Sequence, residues 1–354
     1  MINEKYIVGK QLTDSIKKLI LNAEKYVKIS SFLMQDNEIK QMLKELSSSG
    51  KIAVFLLSNK KDQESEEYID SMHYKQKEAK ENSIGFDNHG KFLKELFYSG
   101  IHVRLLDNLH AKFIIADGDK GLIMSANLAP NSLKKNVESG IELSSKDVKE
   151  LEYVFDLMYK HADIIRYQGA YRKDVTVKVN NKLNPQAIAQ IEGNIRLTVA
   201  SSYESNLDQC EVCSIYNSII DIINKAKDYL YIVTYHFKSK GDVLDEFMDA
   251  IRRAIRRGVT VFLYSNTKTN VPSLQASLKV IKELTKMGCR SFGDDKNHSK
   301  CVLSESEGIL FTANIDGVSG LKSGFEVGCM MNEVQRSTAK KHIDEIIKNI
   351  SYGR

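Results

Sequence analysis

An internal repeat covers most of this 354-residue chain and limits its fold more than any other feature. Residues 15–34 (SIKKLILNAEKYVKISSFLM) and 218–237 (SIIDIINKAKDYLYIVTYHF) both place apolar residues at helical spacing and then run into a β-rich stretch. In each copy a second helix, an apolar strand and a third helix follow. Because helices and strands alternate in this way, we expect an α/β fold whose sheets are covered on both faces.

The repeat also predicts how the chain divides. We expect residues 1–166 to form the first half and residues 207–354 the second, with 167–206 as a connecting segment that belongs to the second half. Residues 60–90 are rich in charge, and we expect a solvated helix or loop there, with a substrate-specificity insert as the alternative.

Each copy then carries the same polar pattern. Residues 110–117 read HAKFIIAD and residues 298–305 read HSKCVLSE, and each is followed by an apolar strand that leads into Ser/Thr-Ala-Asn. On a strand, residues i and i+2 face the same side. Each half is therefore expected to present a histidine, a lysine, a hydroxyl and an amide together: His110, Lys112, Ser125 and Asn127 in the first half, and His298, Lys300, Thr312 and Asn314 in the second.

These motifs resemble the signature of the phospholipase D superfamily, which is H-x-K-x4-D followed by Ser/Thr-x-Asn. The first motif matches it through Asp117, whereas the second has Glu305 where the family has Asp. The resemblance implies two α-β-α sandwich halves related by a pseudo-twofold axis, with one active site at their interface. It also implies that Asp117 has a mainly structural role.

The resemblance further implies a phosphodiesterase that works through a phosphohistidine. One imidazole attacks phosphorus, and the other protonates the leaving oxygen and then activates water. By analogy with the family, His110 is the nucleophile and His298 the acid, although the symmetry of the repeat leaves the two roles open to exchange. The two lysines and the two asparagines are expected to hold the non-bridging phosphate oxygens, so neither a metal nor a cofactor is expected.

A carboxylate beside each histidine completes the expected site. Glu142, in GIEL, and Glu326, in GFEV, lie 32 and 28 residues after the two histidines (142 − 110 and 326 − 298). They resemble the carboxylates that orient each imidazole through its other ring nitrogen in this family. Asp117 and the two hydroxyls, Ser125 and Thr312, are expected to support these groups.

Three weaker features remain open. Arg252, Arg253, Arg256 and Arg257 cluster at a predicted helix end, where they either complement the helix dipole or contact a nucleic-acid backbone. Tyr235 ends a strand and either stacks on bases in the cleft or packs in its wall. The pair Cys210-x-x-Cys213 is expected to be two thiols rather than half of a zinc site.

Composition favours a protein without a membrane segment. Hydrophobic residues make up 42% of the chain and charged residues 27%, and no run reaches the ~18 apolar residues that a membrane span needs. The five cysteines, spread along the chain, do not resemble a disulfide framework. We therefore expect a cytoplasmic protein without a signal peptide.

The substrate is less constrained than the chemistry. A net charge of +5 is compatible with a polyanionic partner, and we expect a nuclease acting on DNA or RNA. A phospholipase or phosphatidyl transferase is the alternative, and a non-catalytic nucleic-acid-binding module with the same fold is the second alternative. One chain suffices for the site because it carries both motifs. A dimer, and a helicase or other protein partner, stay open.

Overall fold

Two large β-sheets, one from each copy of the repeat, form the frame of the molecule. The structure, a computed structural model, describes residues 4–59, 89–106, 108–168, 173–177, 191, 193–200, 211–238, 242–268, 272–316 and 320–352. The strands in chain order are β1 Tyr6–Val8, β2 Tyr26–Ser31, β3 Ala53–Asn59, β4 His102–Leu106, β5 Phe113–Ala116, β6 Lys120–Met124, β7 Ser139–Glu142, β8 Asp163–Gln168, β9 Lys173–Val177, β10 Ile195–Val199, β11 Val212–Cys213, β12 Tyr229–Thr234, β13 Phe237–Lys238, β14 Thr260–Asn266, β15 Arg290–Asp294, β16 Cys301–Ser304, β17 Gly308–Phe311, β18 Ile315–Asp316 and β19 Phe325–Met330.

The two sheets have matching centres. The first sheet has the order β1-β7-β6-β5-β2-β3-β4-β8-β9, the second has the order β11-β10-β19-β17-β16-β12-β14-β15, and β13 pairs with β18 separately. In each sheet the repeat supplies three neighbouring parallel strands, β2-β3-β4 and β12-β14-β15. The strand after each His-x-Lys pairs antiparallel with the first of these, with Ser30 opposite Phe113 and Val233 opposite Cys301. Both motifs therefore lie at the same place in their sheets.

Helices cover both faces of each sheet, as the alternating pattern predicts. They are α1 Gly9–Leu21, α2 Asn37–Ser48, α3 over 89–98, α4 Pro130–Lys134, α5 Ser145–His161, α6 Ser214–Lys225, α7 Asp242–Arg256, α8 Pro272–Lys286 and α9 Glu333–Tyr352. Asp36 caps α2, because its carboxylate accepts the backbone N–H groups of Glu38 and Ile39 at 3.0 and 3.1 Å. Gly50, with φ of +67°, follows the end of that helix.

Three apolar cores divide the molecule into layers. One core lies between α1 to α3 and the outer face of the first sheet, and a second lies between α6 to α8 and the outer face of the second sheet. The third lies between the sheets and joins Phe113 and Phe155 of the first half to Leu303 and Ile343 of the second. Helices α5 and α9 contribute to this central core. The predicted α/β architecture of two halves is confirmed, and the central core holds the halves together.

The connecting segment differs from the expectation. We expected residues 167–206 to belong to the second half, but β9 pairs antiparallel with β8 at the edge of the first sheet, whereas β10 pairs with β19 in the second. Strands β8 and β9 are close in sequence, so hairpin pairing keeps them in one sheet. The exact domain boundaries stay a prediction. The solvated helix or loop expected over residues 60–90, like its alternative, a substrate-specificity insert, lies outside the described residues except for residues 89 and 90, which begin α3.

Two further observations concern the cysteines and the membrane. Cys213 is disulfide-bonded, which corrects the expectation of a thiol there, and Cys210 lies outside the described residues. Cys289, Cys301 and Cys329 are buried free thiols. None of the helices in the described ranges combines the length and apolarity needed to cross a membrane.

Candidate active site

The two His-x-Lys segments are anchored by backbone hydrogen bonds to the opposite half. The N–H of His110 donates to the carbonyl of Phe325 at 2.9 Å, and the N–H of His298 donates to the carbonyl of Val137 at 2.9 Å. Each acceptor is followed directly by a glutamate, Glu326 or Glu138. Because the two anchors are reciprocal, they place each histidine beside a glutamate of the other half.

Each imidazole contacts that glutamate. Nδ1 of His110 lies 2.6 Å from Oε1 of Glu326, and Nδ1 of His298 lies 2.8 Å from Oε1 of Glu138. The second carboxylate oxygen of each glutamate accepts a hydroxyl hydrogen from its own half, from Thr312 at 2.5 Å in one case and from Ser125 in the other. A carboxylate on Nδ1 leaves Nε2 to face a substrate. The two His–Glu pairs therefore cross between the halves.

The carboxylate of the first half that contacts a histidine is Glu138 and not Glu142, which the sequence analysis predicted. Glu142 lies at the end of β7, where its carboxylate accepts a hydrogen bond from Ser15 at 2.7 Å, and it does not contact either histidine. A second pattern in the sequence, Glu-x-Gly, identifies Glu138 and overlaps with the Gly-x-Glu pattern that led to Glu142. Glu138 and Glu326 each lie 28 residues after their repeat's histidine (138 − 110 and 326 − 298), and each begins Glu-x-Gly.

The Glu138 carboxylate is buried and ionised. Burial raises the pKa of its carboxyl, but the charge and hydrogen bond of His298 and the charge of Lys300 oppose this effect. The net result is a pKa below the ordinary value for glutamate. Glu138 thus supplies a fixed negative charge beside His298.

Two fully buried lysines supply positive charge at the site. Lys112 and Lys300 are both 0% exposed. Nζ of Lys112 donates to the carbonyl of His110 at 2.7 Å, and Nζ of Lys300 donates to the carbonyl of His298 at 3.1 Å and lies 3.4 Å from its Nε2. Lysines are almost never fully buried without a function or a charged partner. Within the described ranges, no three His, Cys, Asp or Glu side chains come together as a metal site.

An aromatic ring packs against each imidazole. Tyr235 meets His298 edge-on with ring centroids 5.0 Å apart, and Phe32 meets His110 in the same way at 5.1 Å. Each ring also lies under the lysine of its half, with Nζ 5.9 Å from the Tyr235 centroid and 5.8 Å from that of Phe32. For Tyr235 the sequence left open whether it stacks on bases or packs in the wall of the cleft, and the structure places it against His298. Phe32 was missed, although both rings lie 17 residues into the two aligned copies (32 − 15 and 235 − 218).

A cavity of about 190 Å³ opens beside His298. Asn127 lines it, and the amide oxygen of Asn127 has no hydrogen-bond partner among the described residues. Asn314 is buried at the matching position of the second half. Both asparagines follow the strands β6 and β17, which pack against each other across the interface. Asn127 therefore lies with His298 at the cavity, and Asn314 occupies the equivalent position in the second half.

Asp117 and Glu305 lie at the other end of their strands, away from the histidines. The Asp117 carboxylate follows β5 and accepts the N–H groups of Glu24, Lys25 and Tyr26 at 3.0, 2.8 and 3.1 Å. Glu305 follows β16 and accepts those of Lys227 and Asp228 at 3.0 and 3.4 Å. Asp117 thus does not lie beside the histidines. Glu305, despite its longer side chain, likewise accepts backbone N–H groups of the neighbouring strand start.

The arginine cluster also lies away from the site. Arg257 donates to the carbonyls of Ile223 and Ala226 at 2.8 and 3.3 Å, just before β12 begins, whereas Tyr235 follows the end of that strand. A strand of six residues spans about 20 Å. Arg252 pairs with Asp249 and Arg253 donates to Asn224, while Arg256 is exposed at the same helix end. Their contacts fit the end of helix α7 rather than the cleft.

Comparison with known proteins supports the same fold. A family model described as cardiolipin synthase, PLD-like domain, matches residues 16–159 and 219–350, which include both His-x-Lys motifs. No curated protein matches the chain.

Among solved structures, phosphatidylserine synthase from Haemophilus influenzae Rd KW20 is similar with a TM-score of 0.65 and 12% identity, covering 97% of this chain and 86% of that one. Polyphosphate kinase from Porphyromonas gingivalis is similar with a TM-score of 0.56 and 11% identity, covering 98% of this chain and 50% of that one. The Salmonella typhimurium protein Nuc, a phospholipase D family member, has a TM-score of 0.37 and 14% identity, over 46% of this chain and 99% of that one. At these identities the first two likenesses concern the fold alone.

Proposed function

This chain belongs to the phospholipase D superfamily, and we propose from that premise that it hydrolyses phosphodiesters at the site between its halves, without a metal. The observation that carries the proposal is the crossed arrangement of two His–Glu pairs beside two fully buried lysines. Two imidazoles, each held at Nδ1 by a carboxylate, can act as nucleophile and acid in turn. The lysine ammonium groups supply the positive charge that a metal provides in other phosphodiesterases.

In the proposed reaction, Nε2 of His110 attacks phosphorus and forms a phosphohistidine. The bond from phosphorus to the leaving oxygen breaks, and His298 gives its Nε2 proton to that oxygen. Water then enters and gives a proton to His298 while its oxygen attacks phosphorus, which releases His110. Throughout, Glu326 and Glu138 hold the Nδ1 hydrogens, and Lys112, Lys300, Asn127 and Asn314 bind the non-bridging oxygens.

For the substrate we favour nucleic acid. The cavity beside His298 is small and lined mainly by polar groups, with Phe32 and Tyr235 as aromatic walls, and the chain has a net charge of +5. A wide apolar mouth, which an acyl chain needs, is not what borders His298 among the described residues. The second candidate is a lipid phosphodiester, which is favoured by the matching family model because its description names cardiolipin synthase.

The test is cleavage in excess EDTA. Purified protein is incubated with labelled single-stranded DNA, duplex DNA, RNA and, separately, phosphatidylglycerol vesicles, beside a His110→Ala control. We expect the wild type alone to cleave nucleic acid, because His110 is the proposed nucleophile. Turnover of vesicles alone would replace the nuclease with the lipid enzyme. Inertness toward every diester, with nucleic-acid binding retained, would favour the non-catalytic module.

A further inference from the structure

The cavity beside His298 is built mainly by the first half of the chain. Phe32 and Leu33, which follow β2, and the segment around α4 form most of its wall, and Tyr235 and His298 close it from the second half. Of the two imidazoles, only that of His298 is among the described residues that line the cavity. A group held there is next to the imidazole that is proposed to act as the acid.

The two halves differ at this place. Leu33 and Ala129 line the cavity, and the residues at the matching positions of the second copy are His236 and Asp316. Those two side chains are buried, at 3% and 0% exposed, with Nε2 of His236 lying 3.6 Å from the Asp316 carboxylate. The asymmetry means that the pseudo-twofold axis does not make the two sides of the reacting phosphorus equivalent.

The lining has the chemistry of a site for a neutral polar group. The described residues that line it include no Asp, Glu, Lys or Arg, whereas side-chain amides come from Gln35, Asn127, Asn131 and Asn136. An amide offers both a donor and an acceptor, which is the pattern that reads the edges of nucleobases. The rings of Phe32 and Tyr235 add aromatic surface of the kind on which bases stack.

We infer that this cavity binds the leaving group of the substrate and that the group is a nucleoside. The inference rests on the proposed function, which it deepens. Nucleophile and leaving oxygen lie on opposite sides of phosphorus in an in-line displacement. His110 attacks from one side, the bond to the nucleoside oxygen breaks on the other, and His298 beside the cavity gives that oxygen its proton. Gln35 and Asn131 are then specificity residues for the nucleoside.

Binding tests the inference separately from catalysis. In a His110→Ala background, the Kd for a fluorescently labelled DNA tetranucleotide is measured by anisotropy for Gln35→Ala and Asn131→Ala, with Gln41→Ala as the matched control. Gln41 is an exposed amide on α2 that bonds to Glu45 outside the cavity. Loss of one hydrogen bond to a neutral group should raise Kd about three- to tenfold in both cavity variants and leave the control unchanged. Unchanged Kd in both cavity variants, or an equal rise in the control, would overturn the inference.

Turnover separates this inference from the proposed function. With His110 restored, kcat/KM is measured for the tetranucleotide and for bis(p-nitrophenyl) phosphate, whose leaving group carries no nucleoside. We expect the cavity variants to lower kcat/KM for the tetranucleotide only. An equal fall for both diesters would overturn the nucleoside assignment while leaving the phosphodiesterase intact. Failure of the wild type to cleave either diester would refute the proposed nuclease activity, and the binding result would still decide whether the cavity holds a nucleoside.

Discussion

The role proposed for His298 depends on a single carboxylate, that of Glu138. The pair is buried, and the Glu138 pKa lies below its ordinary value because His298 and Lys300 outweigh the effect of burial. The negative charge of the carboxylate beside Nδ1 orients the imidazole ring and stabilises the imidazolium form that donates the proton. The neighbouring Glu142, on the same strand segment, bonds to Ser15 instead. The two glutamates have the same side chain but different partners, so the same substitution at Glu142 is a control for the substitution at Glu138.

We predict that Glu138→Gln lowers kcat for phosphodiester cleavage by about 10²–10⁴-fold, because an amide keeps the shape but not the charge. Glu142→Gln should retain the wild-type rate. Steady-state kinetics of both variants on the same diester measure the difference, and circular dichroism checks that each is folded. A full rate for Glu138→Gln, or equal losses in the two variants, would contradict the assignment of Glu138.

At the scale of elements, a carboxylate ties the end of one strand to the start of its neighbour in each sheet. Asp117 follows β5 and accepts three N–H groups at the start of β2, and Glu305 follows β16 and accepts two just before β12. Burial raises the pKa of each carboxyl, but the backbone hydrogen bonds outweigh burial and lower both values. Asp117, the Asp of the family signature, therefore bonds two strands of the sheet to each other at the end that lies away from the histidines.

We predict that Asp117→Asn lowers the free energy of unfolding by about 1–2 kcal/mol at pH 7. A carboxyl whose pKa is lowered on folding stabilises the folded protein at pH values above its ordinary pKa, which is 3.8 for aspartate. This contribution is lost as the pH falls through the lowered pKa. The difference between wild type and variant should thus shrink below about pH 3.8. Urea unfolding at pH 7 and at pH 3 measures it.

The control for that measurement is Asp119→Asn, two residues further along the same turn. Asp119 is exposed, and it should show no comparable loss at either pH. Asparagine tolerates the left-handed backbone of residue 117, whose φ is +56°, so the variant removes the charge without adding backbone strain. A pH-independent loss in Asp117→Asn would contradict the role of the charge.

At the scale of the whole molecule, neither half contains a complete site. His110 takes its carboxylate from Glu326, His298 takes its own from Glu138, and the backbone bonds around them cross in the same way. The central core beneath the site also draws its side chains from both sheets. One folded chain therefore assembles the whole site by packing its two halves.

We predict that mixing His110→Ala with His298→Ala protein restores no activity, because each chain then lacks one histidine of its own site. Diester cleavage by the mixture, compared with the sum of the separate variants, provides the measurement. Refolding the two variants together from denaturant is a stricter test, because it lets the halves of different chains pack against each other. Restored turnover would show that sites form between chains, as in an exchanged dimer.

The sequence by itself determined the repeat, the α/β architecture and the residues that each half presents. The helices and strands depend on local periodicity, because apolar spacing predicts them. The i, i+2 rule was applied to residues that the structure places just outside the strands, since His110 and Lys112 precede β5 and Ser125 and Asn127 follow β6. Phe32 belongs to this class as well, because alignment of the two copies places it opposite Tyr235. Its equivalence to Tyr235 was therefore accessible without a structure, whereas its contact with His110 was not.

Only the tertiary structure decided which groups meet. His110 and Glu326 are 216 residues apart, and their contact depends on how one sheet docks on the other, which no local pattern encodes. The same docking selects Glu138 over Glu142, and strand direction separates Asp117 and the arginine cluster from the histidines. The asymmetric cavity beside His298 likewise arises where the first half packs against the second. Local periodicity thus selects the residues, and packing between the halves pairs them.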